Sequence, residues 1–167
     1  LNTLSEIVHT DADRADRYIQ KLASIYRYIL DNEETDLIPL EKELTFVHSY
    51  FDLQKERNGN KIHLDIDLSD SQRREIVPIS LQILIENALK HNSASEDRPL
   101  CIRIFEEIKD DYIVVTNNIQ KKTILQYDYH GTGLSNLQQR TQLITGRKIV
   151  LIEDEHQFTV KIPVIIS

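Results

Sequence analysis

The chain of 167 residues has no methionine, no tryptophan, a single cysteine and only four glycines. The lone Cys101 excludes an intramolecular disulfide and a metal site built from several cysteines, and its strand-like surroundings predict a residue of the core or of a strand. No window approaches the ~20 apolar residues that span a bilayer, and no signal peptide is visible. These absences predict a soluble, cytoplasmic chain.

Acidic residues outnumber basic ones, 27 to 20. The formal net charge is -7 and no basic stripe is present, which argues against nucleic acid as the main partner. Apolar residues make up 40% and charged residues 28%, a balance that favours a globular protein over a disordered one. Because a helical pattern is already under way at Leu1 and methionine is absent, we expect the chain to be a piece of a longer protein.

The N-terminal part of the sequence carries helical periodicity. Apolar residues recur in steps of three and four over residues 4–29, with Asp11 as the one break, which predicts a single long amphipathic helix. After the polar "DNEETD", Pro39 opens a second helix whose first turn is acidic and whose apolar seam comprises Leu40, Leu44, Val47 and Phe51. These two helices predict an antiparallel hairpin, which a second copy would complete as a four-helix bundle.

Beyond the turn signal "RNGN", the apolar period changes from helical to alternating. Residues 62–68 alternate as a half-buried strand does, and Pro78 then opens a helix over "ISLQILIENALKHN". Two strands, a segment without periodicity over residues 119–130, a helix that stops at a glycine, and two last strands follow. We therefore predict an α+β fold, with an all-helical part over residues 1–57 and an α+β part over residues 58–167.

The helix that Pro78 opens ends in a polar cluster that contains Glu86, Asn87, Lys90 and His91. Asn87, Lys90 and His91 share one edge because they lie three and four residues apart. An Asn oxygen suits Mg²⁺, and Lys and His side chains can donate to the phosphates that the metal bridges. The pattern fits a magnesium nucleotide, although a helix that simply ends in solvated polar residues has the same appearance.

Two of the four glycines, Gly131 and Gly133, stand in "GTG" before a predicted helix. Paired glycines at the start of a helix let backbone N–H groups approach a phosphate, which the helix dipole also favours. Glycines serve turns as well, so the pair alone leaves both interpretations open.

Several motifs occur in a fixed order: "LQILIENALKHN", "IVVTNNIQ", the aperiodic segment, "GTGLSNLQQRTQLITG" and "FTVKIP". This order resembles the N box, G1 box and G2 box of the ATP-binding domain in the gyrase, Hsp90, histidine kinase and MutL superfamily. With its helical part, the chain resembles most the LytS/YehU-type sensor histidine kinases, in which "LQPLVENAIKH" and "GxGLxNxxxRL" are characteristic. The resemblance implies a Bergerat-type α/β sandwich that binds ATP, preceded by a helical hairpin for dimerisation.

The resemblance also implies roles for individual residues. Asn87 would bind Mg²⁺, Lys90 and His91 would hold the phosphates of ATP, and Asn117 stands where the family has an Asp that binds adenine. Apart from the resemblance, Glu86 is the carboxylate nearest to Asn87, and by polarising the acceptor His it would be the general base of autophosphorylation. The aperiodic segment would form a mobile ATP lid, and the G2 turn with the helix after it would contribute Gly131, Thr132, Gly133, Leu134, Asn136 and Arg140 to the nucleotide site.

The chain departs from the family pattern at three places. The phosphoacceptor His belongs to an upstream motif of which only Leu1 and Asn2 are present, so we expect no autophosphorylation of the chain as given. In "VTNNIQ", Asn117 and Ile119 replace an Asp and a Gly of the G1 box, and loss of the charge-assisted bond should weaken adenine binding about fivefold. Ile83 occupies the place of the general base that activates water in the ATPases of the superfamily.

These observations favour the kinase core of a two-component sensor histidine kinase. It would bind MgATP, phosphorylate the upstream His and pass the phosphate to an Asp of a response regulator, often of the LytTR type. A homodimer and a membrane anchor in the full-length protein complete this hypothesis. The alternative is a catalytically silent module of the same fold that senses nucleotide or only dimerises. A third hypothesis, an enzyme that hydrolyses ATP, lacks its base at Ile83.

Overall fold

The computed structural model describes residues 2–68, 73–122 and 132–166. Within these ranges the helices are α1 Asn2–Val8, α2 Ala12–Asp31, α3 Leu40–Asn58, α4 Ser80–His91 and α5 Thr132–Thr145. The strands are β1 Ile38–Pro39, β2 Ile62–Asp67, β3 Arg74–Ile76, β4 Leu100–Glu107, β5 Tyr112–Asn118, β6 Val150–Glu153, β7 Gln157–Pro163 and β8 Ile165–Ile166. The mixture of helices and sheets confirms the predicted α+β class. None of these helices has both the length and the apolar character needed to cross a membrane.

The first helical segment is divided in two. The prediction of one helix over residues 4–29 is wrong, because the chain breaks at Asp11, where φ is -153° and the backbone is extended. The Asp11 carboxylate accepts a hydrogen bond from Arg14 N at 2.9 Å. This is the N-cap arrangement that short polar side chains favour, so a new helix, α2, begins at Ala12.

The predicted hairpin of α2 and α3 is present, and the seam of α3 faces inward. Leu40, Val47 and Phe51 are buried, and Leu44 packs against the same core. α3 is followed by Gly59, whose φ of 57° lies in the left-handed region that glycine adopts without strain. This conformation confirms the turn expected at "RNGN".

The main sheet has five strands in the order β2-β4-β5-β7-β6. β2 and β4 are parallel, whereas the other neighbours are antiparallel. A parallel pair needs a long crossover, and α4 lies in the one between β2 and β4. α4 packs on β4 and β5 with α5 beside it. The core between these layers includes Leu81, Leu84, Ile85, Ala88, Ile102, Ile104, Ile113 and Leu137.

A second, small sheet was not expected from the sequence. β3 lies between β1 and β8 and is antiparallel to both. Its strands are only two or three residues long, too short for alternation to become visible. One continuous core includes residues on both sides of position 57, so the division into residues 1–57 and 58–167 stays a prediction.

Cys101 differs from its expected place. It lies in β4, as predicted for a strand residue, but its side chain is exposed, so the assignment to the core is wrong. Alternate residues of a strand face opposite sides, and in β4 it is the neighbours Leu100 and Ile102 that are buried.

Candidate functional site

A cavity of about 530 Å³ opens where the end of α4 meets the end of β5. Small-molecule sites have volumes of about 300–1,000 Å³. The lining side chains come from α4, β5 and the residues after each, from the start of α5 and from the last hairpin: Asn87, Ala88, His91, Asn92, Asn117, Ile119, Lys121, Lys122, Leu134, Ser135, Gln138, Glu153 and Phe158. The structure thus brings together four residues of the predicted nucleotide site, namely Asn87, His91, Asn117 and Leu134.

α4 places Asn87 and His91 on one face, because residues four apart lie about one helical turn apart. Leu81, Leu84 and Ile85 of the same helix are buried in the core. Burial of these apolar side chains fixes the rotation of α4 about its axis, and the polar edge is left for the cavity.

Hydrogen bonds hold the C-terminal end of α4 in place. The Asn92 side chain, 7% exposed, donates to Ala88 O at 2.9 Å and accepts from Gln120 N at 2.8 Å. Lys122 Nζ donates to Leu89 O at 2.9 Å. The end of the helix and the segment after β5 are therefore joined by side-chain bonds on the cavity itself.

The surroundings of His91 lower the pKa of its imidazole. Burial is the largest cause, followed by the positive charges of Lys90 and Lys122. The imidazole is therefore neutral at pH 7, since its ordinary pKa already lies below that pH. An anion that entered the cavity would favour the protonated form.

Asn117 lies near the end of β5, opposite Phe158 of β7 in the sheet register, and both line the cavity. Its side chain is buried, with 6% exposed. Its Nδ2 donates to Asn118 O at 2.9 Å, which leaves the side-chain oxygen as the acceptor that a ligand amino group requires.

An ion pair connects two further lining residues. Lys121 Nζ lies 2.8 Å from Glu153 Oε1 of β6. Both side chains are largely exposed, so this pair contributes little to the free energy of unfolding. It joins the segment after β5 to the last hairpin beside the cavity.

Two predicted residues of α4 do not line the cavity. Lys90 is exposed, and so is Glu86, whose Oε2 accepts a hydrogen bond from Gln82 Nε2 at 2.8 Å. Glu86 is also near Tyr50 of α3, because its charge, after burial as the larger cause, helps to raise the pKa of Tyr50 to about 12. The proposed general base thus lies toward the helical hairpin.

The predicted residues of α5 do not all line the cavity. Leu134 lines the cavity, whereas Thr132 and Asn136 are exposed away from it. Gly133 was expected in a turn, but it lies in the first turn of α5, where an added Cβ would be 3.7 Å from Ile83 Cγ2.

Arg140 and Gly131 complete the predicted set. The Arg140 guanidinium is directed to the loop between α2 and α3, where its Nη2 donates to Thr35 O at 2.7 Å and lies 3.4 Å from Glu33 O. Gly131 and most of the predicted lid fall outside the described residues.

Sequence reasoning missed several lining residues. Asn92 ended the polar stretch that contains Asn87 and His91, and Lys121 with Lys122 formed a basic pair close to the G1 motif, so a local signal existed for these three. Glu153 and Phe158 come from the last hairpin. Only the folded sheet brings them to the cavity, and no local pattern could have indicated them.

The chain is similar to known histidine kinases. The family model described as "Histidine kinase" matches residues 1–62. The sensor protein LytS of Bacillus subtilis is 31% identical over 167 aligned residues, which cover 90% of this chain and 28% of that protein. LytS of Streptococcus mutans is 29% identical over 159 residues, which cover 87% of this chain and 27% of that protein. The chain thus spans less than a third of the length of these relatives.

The fold is also that of solved kinase structures. The catalytic domain of the histidine kinase ThkA superposes with a TM-score of 0.54 at 16% identity, covering 76% of this chain and 93% of that domain. At this identity the likeness concerns the fold alone, and it confirms the expected α/β sandwich fold. With the order of its motifs, the convergence of Asn87, His91 and Asn117 on one cavity, and its similarity to LytS over most of its length, the chain belongs to the histidine kinase family, in the group of LytS-type sensor proteins.

Proposed function

We propose that this chain binds ATP with Mg²⁺ in the cavity at the end of α4 and is the ATP-binding part of a sensor histidine kinase. The observation that carries the proposal is that Asn87, His91 and Asn117 line one cavity of about 530 Å³. These residues come from two separate motifs of the family, and a shared ligand gives a common reason for their meeting there.

Asn87 is the candidate ligand for the metal. Its side-chain oxygen is a hard neutral donor, and the residue is half-buried on the cavity. Mg²⁺ accepts such a site because it keeps several waters and binds mainly to the phosphates of the nucleotide. When bound, the ion would neutralise the charge that develops on the transferred phosphoryl group.

Basic side chains near Asn87 suit the phosphates. His91 becomes a better donor when an anion raises its pKa, and Lys122 carries two N–H donors beyond the one directed to Leu89 O. The adjacent Lys90 adds positive charge at the same end of the helix.

The remaining part of the cavity suits a purine. Asn117 offers its side-chain oxygen to the adenine amino group, and Ile119, Leu134 and Phe158 provide apolar surface for the faces of the ring. The neutral bond from Asn117 is weaker than that from a carboxylate. We therefore expect adenine binding to persist with reduced affinity.

The proposed reaction is transfer of the γ-phosphoryl group to a His of the longer protein, and from there to an Asp of a response regulator of the LytTR type. Glu86, held by Gln82 outside the cavity, would orient or deprotonate the acceptor imidazole. Ile83 stands where an ATPase would need a carboxylate and is half-buried beside Gly133. This environment favours phosphoryl transfer over hydrolysis.

The proposal includes a homodimer and, in the longer protein, a membrane anchor with this part on the cytoplasmic side. In support of the dimer, α2 carries exposed apolar side chains on one stripe, with Ile19, Tyr26 and Leu30 exposed by 48%, 61% and 69%. Their spacing of seven and four residues is that of a helix seam that another helix can cover.

Calorimetric titration with a non-hydrolysable ATP analogue, with and without Mg²⁺, tests the proposal. We expect binding that requires Mg²⁺, and we expect Asn87→Ala to weaken it at least about tenfold, as loss of one ligand to a charged group does. Asn60→Ala, at an exposed position that does not line the cavity, is the control. Absence of heat from the unmodified chain would favour the silent dimerisation module, and an unchanged affinity in Asn87→Ala would refute the metal assignment.

A further inference from the structure

A fully buried carboxylate lies between the helical hairpin and the helix of the polar cluster. Glu43 of α3 has no exposed surface. Its Oε2 accepts hydrogen bonds from Tyr28 Oη at 2.7 Å and from Ile79 N at 3.0 Å, and its Oε1 accepts from Leu81 N at 3.0 Å. One side chain therefore joins α2, α3 and the start of α4.

The start of α4 depends on this carboxylate. The first N–H groups of any helix have no partner within the helix. The N-cap of α4 is Ile79, with φ of 69° and no side chain that could accept those bonds. Glu43 accepts two of the N–H groups from outside, and its charge is favourable at the positive end of the helix dipole.

Tyr28 extends the connection to α2. Its ring stacks on Phe46 of α3 with centroids 3.9 Å apart and planes 9° apart, so the position of its hydroxyl is tightly defined. Burial and the nearby Glu43 raise the pKa of Tyr28, so its hydroxyl remains a donor at every ordinary pH. Burial also raises the pKa of Glu43, and its three hydrogen bonds oppose that shift.

The second helix of the cavity, α5, is joined to the same hairpin. The Arg140 guanidinium donates to Thr35 O at 2.7 Å in the loop between α2 and α3. That loop is itself ordered by Asn32, which is 2% exposed and donates from its side chain to Tyr28 O at 2.7 Å. The hydrogen bonds of Glu43 and Arg140 thus both connect to the region around the C-terminal end of α2.

We propose that Glu43 and Arg140 are positioning residues that couple the end of α2 to α4 and α5, so that the hairpin and nucleotide binding influence each other. A displacement of α2 removes the Tyr28 bond, shifts Glu43 and loosens the first turn of α4, which carries Asn87 two turns later. By thermodynamic linkage, nucleotide binding must stabilise the hairpin by the same factor. The nucleotide half of this inference rests on the function proposed above.

Hydrogen exchange read by mass spectrometry tests the coupling in the nucleotide-free chain. In Tyr28→Phe and Glu43→Gln, we expect the amides of residues 79–83 to exchange about fivefold to tenfold faster, the effect of losing one hydrogen bond. Tyr18→Phe is the matched control, since Tyr18 is a half-buried tyrosine of the same helix that packs against the core. Unchanged exchange over residues 79–83 in both variants would overturn the inference.

A second measurement separates coupling from a purely structural role. Saturation with the Mg²⁺-bound ATP analogue should slow exchange over residues 32–37 of the unmodified chain, and this effect should disappear in Tyr28→Phe and in Arg140→Ala but persist in Gln139→Ala, at an exposed neighbour on α5. Persistence in Tyr28→Phe and Arg140→Ala would overturn the coupling. If the unmodified chain binds no nucleotide, the proposed function fails, and the exchange over residues 79–83 still decides whether Glu43 positions α4.

Discussion

The two helices that line the cavity are held in different ways. α4 is bound at both ends by buried polar side chains, Glu43 at its start and Asn92 at its end. α5 contributes lining residues such as Leu134 from its first turns, is tied to the hairpin by Arg140, and carries a buried hydroxyl, Thr141 Oγ1, without a hydrogen-bond partner.

The difference indicates which half of the site is preorganised. Side-chain bonds fix α4 relative to the segment after β5 and to the hairpin, so we expect Asn87 and His91 to be in position before a ligand of the proposed site binds. The Thr141 hydroxyl costs free energy where it is, because a buried polar group without a partner is unfavourable. We therefore expect the α4 half to be the more rigid half.

Asn92→Ala should weaken the attachment of α4, the better-anchored of the two helices. It leaves Gln120 N without its acceptor in a partly buried setting and removes the buried bond to Ala88 O. We expect the free energy of unfolding to fall by about 2 kcal/mol, the usual cost of an unsatisfied buried donor together with a lost bond. Urea denaturation followed by circular dichroism measures this change.

Ser93→Ala provides the matched comparison. The Ser93 hydroxyl also bonds to Gln120, through its carbonyl at 3.1 Å, but it is exposed and water can replace it. We expect a loss below about 0.5 kcal/mol. Equal losses in the two variants would contradict the idea that burial makes the Asn92 bonds strong.

A pair of threonine substitutions tests α5. Thr141→Val replaces the unpartnered hydroxyl with a methyl group of similar size, so we expect a gain of about 1 kcal/mol in the free energy of unfolding. Thr145→Val should lose about 1 kcal/mol, because its hydroxyl donates to Thr141 O at 2.7 Å and accepts from Arg147 N at 3.1 Å. Thermal or urea unfolding gives the sign of the change in the free energy of unfolding for each variant. A lower free energy of unfolding in Thr141→Val would show that the Thr141 hydroxyl has a partner in solution.

Much of the fold could be predicted because its signals are local. Alternation predicted β2, two further strands were expected where β4 and β5 lie, and the glycine after α5, Gly146, has the left-handed φ of 69° expected of a helix stop. The apolar pattern marks Asp11 as an interruption of the stripe, but it does not show that one helix ends there and another begins. Capping depends on one hydrogen bond to Arg14 N, which periodicity does not report.

The residues of the candidate site show the same contrast between local signals and signals that a sequence does not carry. That Asn87 and His91 lie together on the cavity could be predicted, because their spacing puts them on one edge of one helix. The place of Asn117 could be predicted because it stands in a recognisable motif. Arg140 could not be assigned from its motif to the hairpin loop, since its partners are backbone oxygens about one hundred residues earlier in the chain. Long-range hydrogen bonds of this kind leave no periodic trace in a sequence.

A final prediction concerns His91 and tests whether the α4 half suits an anion. In the free chain its pKa is lowered by burial, Lys90 and Lys122, so the imidazole is neutral at pH 8 and begins to protonate only below its ordinary value of about 6.5. Bound phosphates favour the imidazolium and raise this pKa, so binding takes up a proton in the window between the free and bound values. Affinity for the Mg²⁺-bound ATP analogue should accordingly rise about threefold to tenfold from pH 8 to pH 6. His91→Gln should retain only the weaker pH dependence that the nucleotide itself contributes. Equal pH dependence in the two proteins, measured by calorimetry at matched ionic strength, would mean that His91 does not contact the phosphates and that the positive charge near them comes from lysines.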